Sequence, residues 1–180
     1  VDVYKRQLLI GTNPRFEATI LNSRIRKSYL KNKTQIFSLE DVGDLTYPYK
    51  ILENDPKLID QIIKNEHDLS NKILSAEKPI IILGQSILNS NNGAYIFEEL
   101  KKYLININKI NDNWHSLNIL SKDASAVGSY DLGIFSSNDG NNKTLKKIED
   151  NEAEIVFLIG QDTLKIKKNN EFLIYIGSHG

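Results

Sequence analysis

Leu8-Leu9-Ile10-Gly11-Thr12-Asn13-Pro14-Arg15 is the stretch on which the fold turns. Three consecutive large aliphatic residues leave no polar face, so they read as a strand buried on both sides, as in a parallel sheet. Gly11 supplies the freedom for a sharp turn. Asn13-Pro14 is a helix start, with Asn as the cap and Pro at the first helical position, where its missing N–H costs nothing. A buried strand running through a tight turn into a helix is the elementary unit of an α/β fold.

The strand-then-glycine pattern recurs. Ile80–Leu83 precedes Gly84, Ile155–Ile159 precedes Gly160, and Phe172–Ile176 precedes Gly177. A further apolar block, 34–39, follows the first helical segment and completes a strand–helix–strand unit. That helix is expected as one piece from Asn13 to about Asn32, with Phe16, Ile20, Leu21, Ile25 and Tyr29 inward and Arg24, Lys27 and Lys31 outward. Asp55-Pro56 starts a second helix, through about Lys64, and 68–76 is a third. Asn92-Gly93 leads into a fourth over 94–104, with Ile96, Leu100, Tyr103 and Leu104 inward, and weaker helices are expected at 121–130 and 142–149. The predicted class is α/β, two Rossmann-like lobes with mainly parallel sheets.

The expected divisions are residues 1–7, which read as non-native; 8–45, the end of a first lobe; 46–77, a helical connector; and 78–180, a second lobe cut at its C-terminus. The first division rests on Lys5, Arg6 and Gln7, which stand where a buried strand wants apolar residues.

Composition narrows the chemistry. Twenty-three basic and 23 acidic residues cancel, without a long run of either sign, so no global feature points to nucleic acid. The chain has no cysteine, which removes disulfides, thiolate-held iron–sulfur clusters and cysteine-ligated zinc from these 180 residues. No apolar run reaches the ~20 residues needed to span a bilayer. The three histidines, His67, His115 and His179, are too far apart to read as a metal motif. There is no Ser-centred elbow, P-loop or complete dinucleotide fingerprint.

The candidate site is therefore Gly11, Thr12 and Asn13, at the carboxyl end of a strand and the start of a helix, where backbone N–H groups can meet an anion. The same three residues also suit a ligand-free cap. Gly160-Gln161-Asp162 and Gly177-Ser178-His179-Gly180 occupy similar strand ends, and each fits an ordinary turn. Trp114, the single tryptophan, reads as a packing anchor. Ala126, Gly128 and Gly133 permit close backbone approach.

Taken together, these segments are more specific than any one of them. Residues 8–18, 21–27, Asp44-Leu45-Thr46-Tyr47-Pro48, 114–120, 124–133, 156–162 and 174–180 follow one another in an order that resembles the large iron–sulfur subunit family of respiratory complex I, NADH:quinone oxidoreductase. That family is similar to molybdopterin oxidoreductases such as formate dehydrogenase. The resemblance implies a scaffold segment without its own redox centre, inside a proton-translocating enzyme that passes electrons from NADH to quinone. It implies a parent subunit with [4Fe-4S] and [2Fe-2S] clusters on cysteines elsewhere. It also implies other hydrophilic-arm subunits as partners, and a peripheral place on the cytoplasmic side of the bacterial inner membrane, or the matrix side in a mitochondrion. No direct membrane span and no nucleic-acid partner are implied, and no residue here is expected to be catalytic. Gly11, Thr12 and Asn13 match the turn that lies near the pterin dinucleotide in cofactor-binding relatives, and are expected as a vestigial pocket. The alternative is a segment of a catalytic, formate-dehydrogenase-like molybdopterin enzyme. An unrelated nucleotide-binding α/β domain, such as the middle domain of thiamine-diphosphate enzymes, fits only 78–104.

Overall fold

A computed structural model describes residues 6–52, 55, 57–123, 126–133, 140–150, 152–160 and 171–177. Pro56, Gln161, Asp162, Ser178, His179 and Gly180 lie outside the described residues. The chain divides into two compact units, residues 1–124 and 125–180.

The first unit begins with β1 (Arg6–Ile10), α1 (Pro14–Glu17), α2 (Thr19–Asn32), β2 (Gln35–Ser38) and β3 (Lys50–Ile51). It continues with α3 (Lys57–Ile63), α4 (Asp68–Ser75), β4 (Ile80–Gly84), α5 (Gln85–Leu88) and α6 (Gly93–Asn106), then a small antiparallel hairpin of β5 (Ile110–Asn111) and β6 (Trp114–His115), and β7 (Leu117–Leu120). Five strands form one sheet in the order β3-β2-β1-β4-β7, every neighbouring pair parallel. The chain steps outward from β1 to β3, returns to the other side of β1 for β4, and steps outward again. That is the doubly wound pattern, with its switch point between β1 and β4.

Alternation along the central strands divides the core. Leu8 and Ile10 of β1, Phe37 and Leu39, Ile81 and Leu83 of β4, and Leu117 of β7 face α3, α4 and α6. Those helices return Leu58, Ile62, Leu69, Ile73, Leu100 and Leu104, all 2% exposed or less. Leu9, Ile36 and Ile82 face the other way, toward Ile25 of α2 and toward Leu45 and Tyr47 from the segment between β2 and β3. α6 buries Ile96, Leu100, Tyr103 and Leu104, the stripe its spacing predicts.

Two sequence expectations change here, and two strands of the sheet appear that the sequence reading did not contain. First, the blocks assigned to separate lobes share one sheet, because Gln7–Ile10 pair in register with Ile80–Leu83. The 46–77 segment is thus an excursion within one layer, and it contributes β3 as well as α3 and α4. Hydrogen bonding between strands distant in sequence made this choice, and no local pattern encodes it. Second, the helix expected over 13–32 breaks at Ala18, whose extended φ of −152° separates α1 from α2. The break shifts the helical phase. Phe16 and Ile20 are 79% and 76% exposed, while Asn22 and Ile25 turn inward. The added strands, β3 and β7, carry little local signal: β3 has two residues, and β7 has Asn118 in its middle.

Asp44-Leu45-Thr46-Tyr47-Pro48 lies against α2. Leu45 is fully buried. Asn22, itself buried, donates through Nδ2 to the Leu45 carbonyl at 3.0 Å, and its Oδ1 accepts from the Tyr47 hydroxyl at 2.7 Å. Burial pushes the Tyr47 hydroxyl well above the ordinary tyrosine range. His67 caps α4, its Nδ1 accepting from the Leu69 N–H at 3.0 Å. Trp114 donates through Nε1 to the Pro79 carbonyl and to Ser116 Oγ, at 3.1 and 2.9 Å, which ties the hairpin to the start of β4.

In the second unit, α7 (Ala126–Asp131) and α8 (Gly140–Glu149) precede β8 (Ile155–Ile159) and β9 (Phe172–Ile176). The two strands pair in parallel, Ile155 opposite Phe172 through Ile159 opposite Ile176. A Cβ placed on Gly128 meets nothing within 4 Å, so no close approach is made there among the described residues.

Candidate functional site

The switch point lies where the carboxyl ends of β1 and β4 meet, and two glycines make the meeting possible. Gly11 has φ of +60°, and a Cβ there would stand 2.7 Å from Ser86 Oγ and 2.8 Å from Ile87 Cβ. Gly84 is tighter: a Cβ there would overlap the Gly11 carbonyl oxygen. The Ser86 hydroxyl donates to that same carbonyl at 2.5 Å. The two turns are locked together, backbone against backbone, where open α/β sheets usually part to admit a ligand.

Beside the lock lies a cleft of about 240 Å3, which Gly11, Glu40, Asp55, Ser86, Ile87 and Ile96 help to line. Small-molecule sites usually occupy roughly 300–1,000 Å3, so this cleft is small. Among the described residues its charged lining groups, Glu40 and Asp55, are both acidic.

The polar groups of the turn are engaged within the chain. Thr12, 2% exposed, donates its hydroxyl to Glu17 Oε2 at 2.7 Å. The Asn13 N–H donates to Glu17 Oε1 at 3.3 Å. Asn13 Oδ1 caps the helix by accepting from the Arg15 N–H at 3.0 Å, and Asn13 Nδ2 donates to the Val42 carbonyl at 2.7 Å. Arg15 reaches on to Asp44, donating to its carbonyl at 2.8 Å and its carboxylate at 2.6 Å. The Glu17 carboxylate thus takes the turn's hydroxyl and one backbone donor, the place an external anion would use. α1 has only four residues.

The neighbouring loop is held by its own acids. The Gly43 N–H and the Tyr49 hydroxyl bond to Asp41 and lower its pKa. The Thr46 N–H and the Arg15 guanidinium do the same for Asp44. The structure places Gly11, Thr12 and Asn13 in the turn between β1 and α1, and sets Glu17, Ser86, Glu40 and Asp55 around it. Of these, Glu17 carries a sequence signal, as an acid in the first turn of a capped helix. The other three reach the site through long-range pairing. Among the described residues no group of three or more His, Asp or Glu could hold a metal ion, and no helix is long and apolar enough to cross a membrane.

Comparison with known proteins places these features in a family. A family model described as molybdopterin oxidoreductase matches residues 5–180. The chain is 39% identical over 177 residues to the NADH-ubiquinone oxidoreductase 75 kDa subunit of Reclinomonas americana. It is 32% identical over 177 residues to the mitochondrial NADH-ubiquinone oxidoreductase 78 kDa subunit of Candida albicans. It is 30% identical over 175 residues to the mitochondrial NADH dehydrogenase (ubiquinone) iron-sulfur protein 1 of Solanum tuberosum. Each match covers 96% of this chain, and 25%, 23% and 23% of the three relatives in turn. The chain spans about a quarter of the length of the curated relatives it matches.

Proposed function

Because the chain belongs to the molybdopterin oxidoreductase family, we propose that it is a scaffold segment of a complex I large iron–sulfur subunit, supporting electron transfer from NADH to quinone without a redox centre of its own. The observation that carries this reading is the similarity to three complex I subunits, at 30–39% identity over nearly the whole chain. The parent would hold its iron–sulfur clusters on cysteines outside these residues, since none is present here. Its partners would be the other subunits of the hydrophilic arm, and its place peripheral to the membrane.

The family also implies a pterin dinucleotide, and the residues present do not fit one. The cleft at the switch point is small. Its charged residues, among those described, are acidic, opposed to a pyrophosphate. Glu17 holds the donors of Thr12 and Asn13. These features support reading Gly11, Thr12 and Asn13 as a vestigial pocket whose remaining work is to lock β1 to β4. A rigid α/β body suits a scaffold, because a functional centre needs its surroundings held in place by packed elements.

Elemental analysis of the full-length parent subunit tests the reading. Iron without molybdenum is the expected result. Stoichiometric molybdenum would overturn it, make the Gly11–Asn13 turn a working cofactor contact, and move the protein to the catalytic side of the family.

A further inference from the structure

A second concavity, of about 390 Å3, lies at the outer edge of the five-stranded sheet. β3 pairs with β2 only at Phe37 and Ser38, so the sheet edge beside Gln35 and Ile36 is left open. Tyr29 and Lys33 at the end of α2, and Pro48-Tyr49-Lys50 entering β3, wall the resulting notch, with Lys72 of α4 on its rim.

Three of the residues lining this notch are lysines, and none is acidic. The two ion pairs among the described residues, Arg15 with Asp44 and Lys102 with Glu99, involve none of the three. Their backbones hold them toward one place. Lys33 is the left-handed cap of α2, with φ of 52° and its N–H on the Tyr29 carbonyl. Lys50 opens β3. Lys72 sits with its ammonium 5.4 Å from the centre of the Phe37 ring. Three cations around one concavity, none of them ion-paired among the described residues, focus positive potential there, in a chain whose net charge is zero. The volume falls within the ~300–1,000 Å3 range of small-molecule sites. Tyr29, Pro48 and Tyr49 give the notch flat apolar surfaces beside the charge, while the buried Phe37 ring underlies Lys72.

We propose that this notch binds a small organic anion: a flat apolar body bearing at least two negative charges, as phosphate or carboxylate groups. The cations neutralise the charged end while the rings and Pro48 cover the body. The site is separate from the switch point, and it does not depend on the scaffold reading.

Isothermal titration on the full-length protein, at low and at physiological salt, tests this with three probes. ADP and benzene-1,3,5-tricarboxylate carry the two kinds of anion, and adenosine is the uncharged control. Binding of either anion, weakened by salt and exceeding that of adenosine, is expected. Exposed ion pairs contribute modestly, about three- to fivefold each, so the K33Q/K50Q/K72Q variant is expected to bind roughly 30- to 100-fold more weakly. The K33R/K50R/K72R variant keeps the charges and is expected to stay within about threefold of the parent. It also separates loss of charge from loss of fold. Adenosine binding as tightly as ADP, equal affinity in the glutamine variant, or no anion binding at millimolar concentration would each overturn the proposal. Lysines also guard open sheet edges against strand addition. If that is their whole role, no anion binds and the glutamine variant self-associates.

Discussion

Leu45→Ala tests how the segment between β2 and β3 is built into the first unit. Leu45 is fully buried and packs with Leu9, Ile25, Ile36, Tyr47 and Ile82 on the α2 side of the sheet. Shortening Leu to Ala removes three carbons, worth about 2.4 kcal/mol at ~0.8 kcal/mol each. The cavity adds to this, and Leu→Ala changes in cores cost about 2–5 kcal/mol in all. The site can collapse little, because Leu45 is held between two anchors: Asn22 Nδ2 on its own carbonyl and the Tyr47 hydroxyl on Asn22 Oδ1. We therefore expect a loss of about 3–4 kcal/mol. With a urea slope near 2 kcal/mol/M, the midpoint falls by about 1.5–2 M. The assay is urea unfolding followed by tryptophan fluorescence, since the single tryptophan, Trp114, is tied to Pro79 in the same unit. A loss below about 1 kcal/mol, the level of a surface change, would refute the packing described here.

Gly84→Ala is expected to destabilise more than its size suggests, by about 3 kcal/mol or more, because its Cβ would overlap a backbone carbonyl oxygen; thermal unfolding against the parent checks it. Gln7 is 4% exposed and its Oε1 has no hydrogen-bond partner among the described residues. Gln7→Leu removes a buried unsatisfied acceptor, and we expect a stabilisation of about 1–2 kcal/mol by urea unfolding. Asp41 and Asp44 have folded pKa values below the unfolded 3.8. Their contribution is fully present above pH 3.8 and is lost as pH falls through the lower folded values. The D41N/D44N variant is therefore expected to show a flatter stability profile below pH 4 than the parent, in a series of melts from pH 6 to pH 2.5.

Much of the fold is legible residue by residue. Ile80–Leu83 before Gly84, the helix start at Asp68 and the Ile96-Leu100-Tyr103-Leu104 stripe are local patterns, and the structure keeps them. Gly11, Thr12 and Asn13 stand out by their cap chemistry, and they do form a capped turn at the end of β1. The small break at Ala18 is not legible. Propensity favours one helix, and the pull comes from elsewhere: Asn22 turns inward to meet Leu45 and Tyr47.

By itself, the sequence determined what most of the longer segments are, because strand and helix follow from the spacing of apolar residues along a few turns of chain. It also determined the family, through markers spread along the chain in one order. Only the tertiary structure decided where the segments go. Pairing of β1 with β4, far apart along the chain, set the strand order and the switch point. The same pairing brought Gly84 onto Gly11, which closed the crevice to backbone contact. Such pairings depend on which surfaces bury best together in space, a property of the assembled layers that no window of sequence contains.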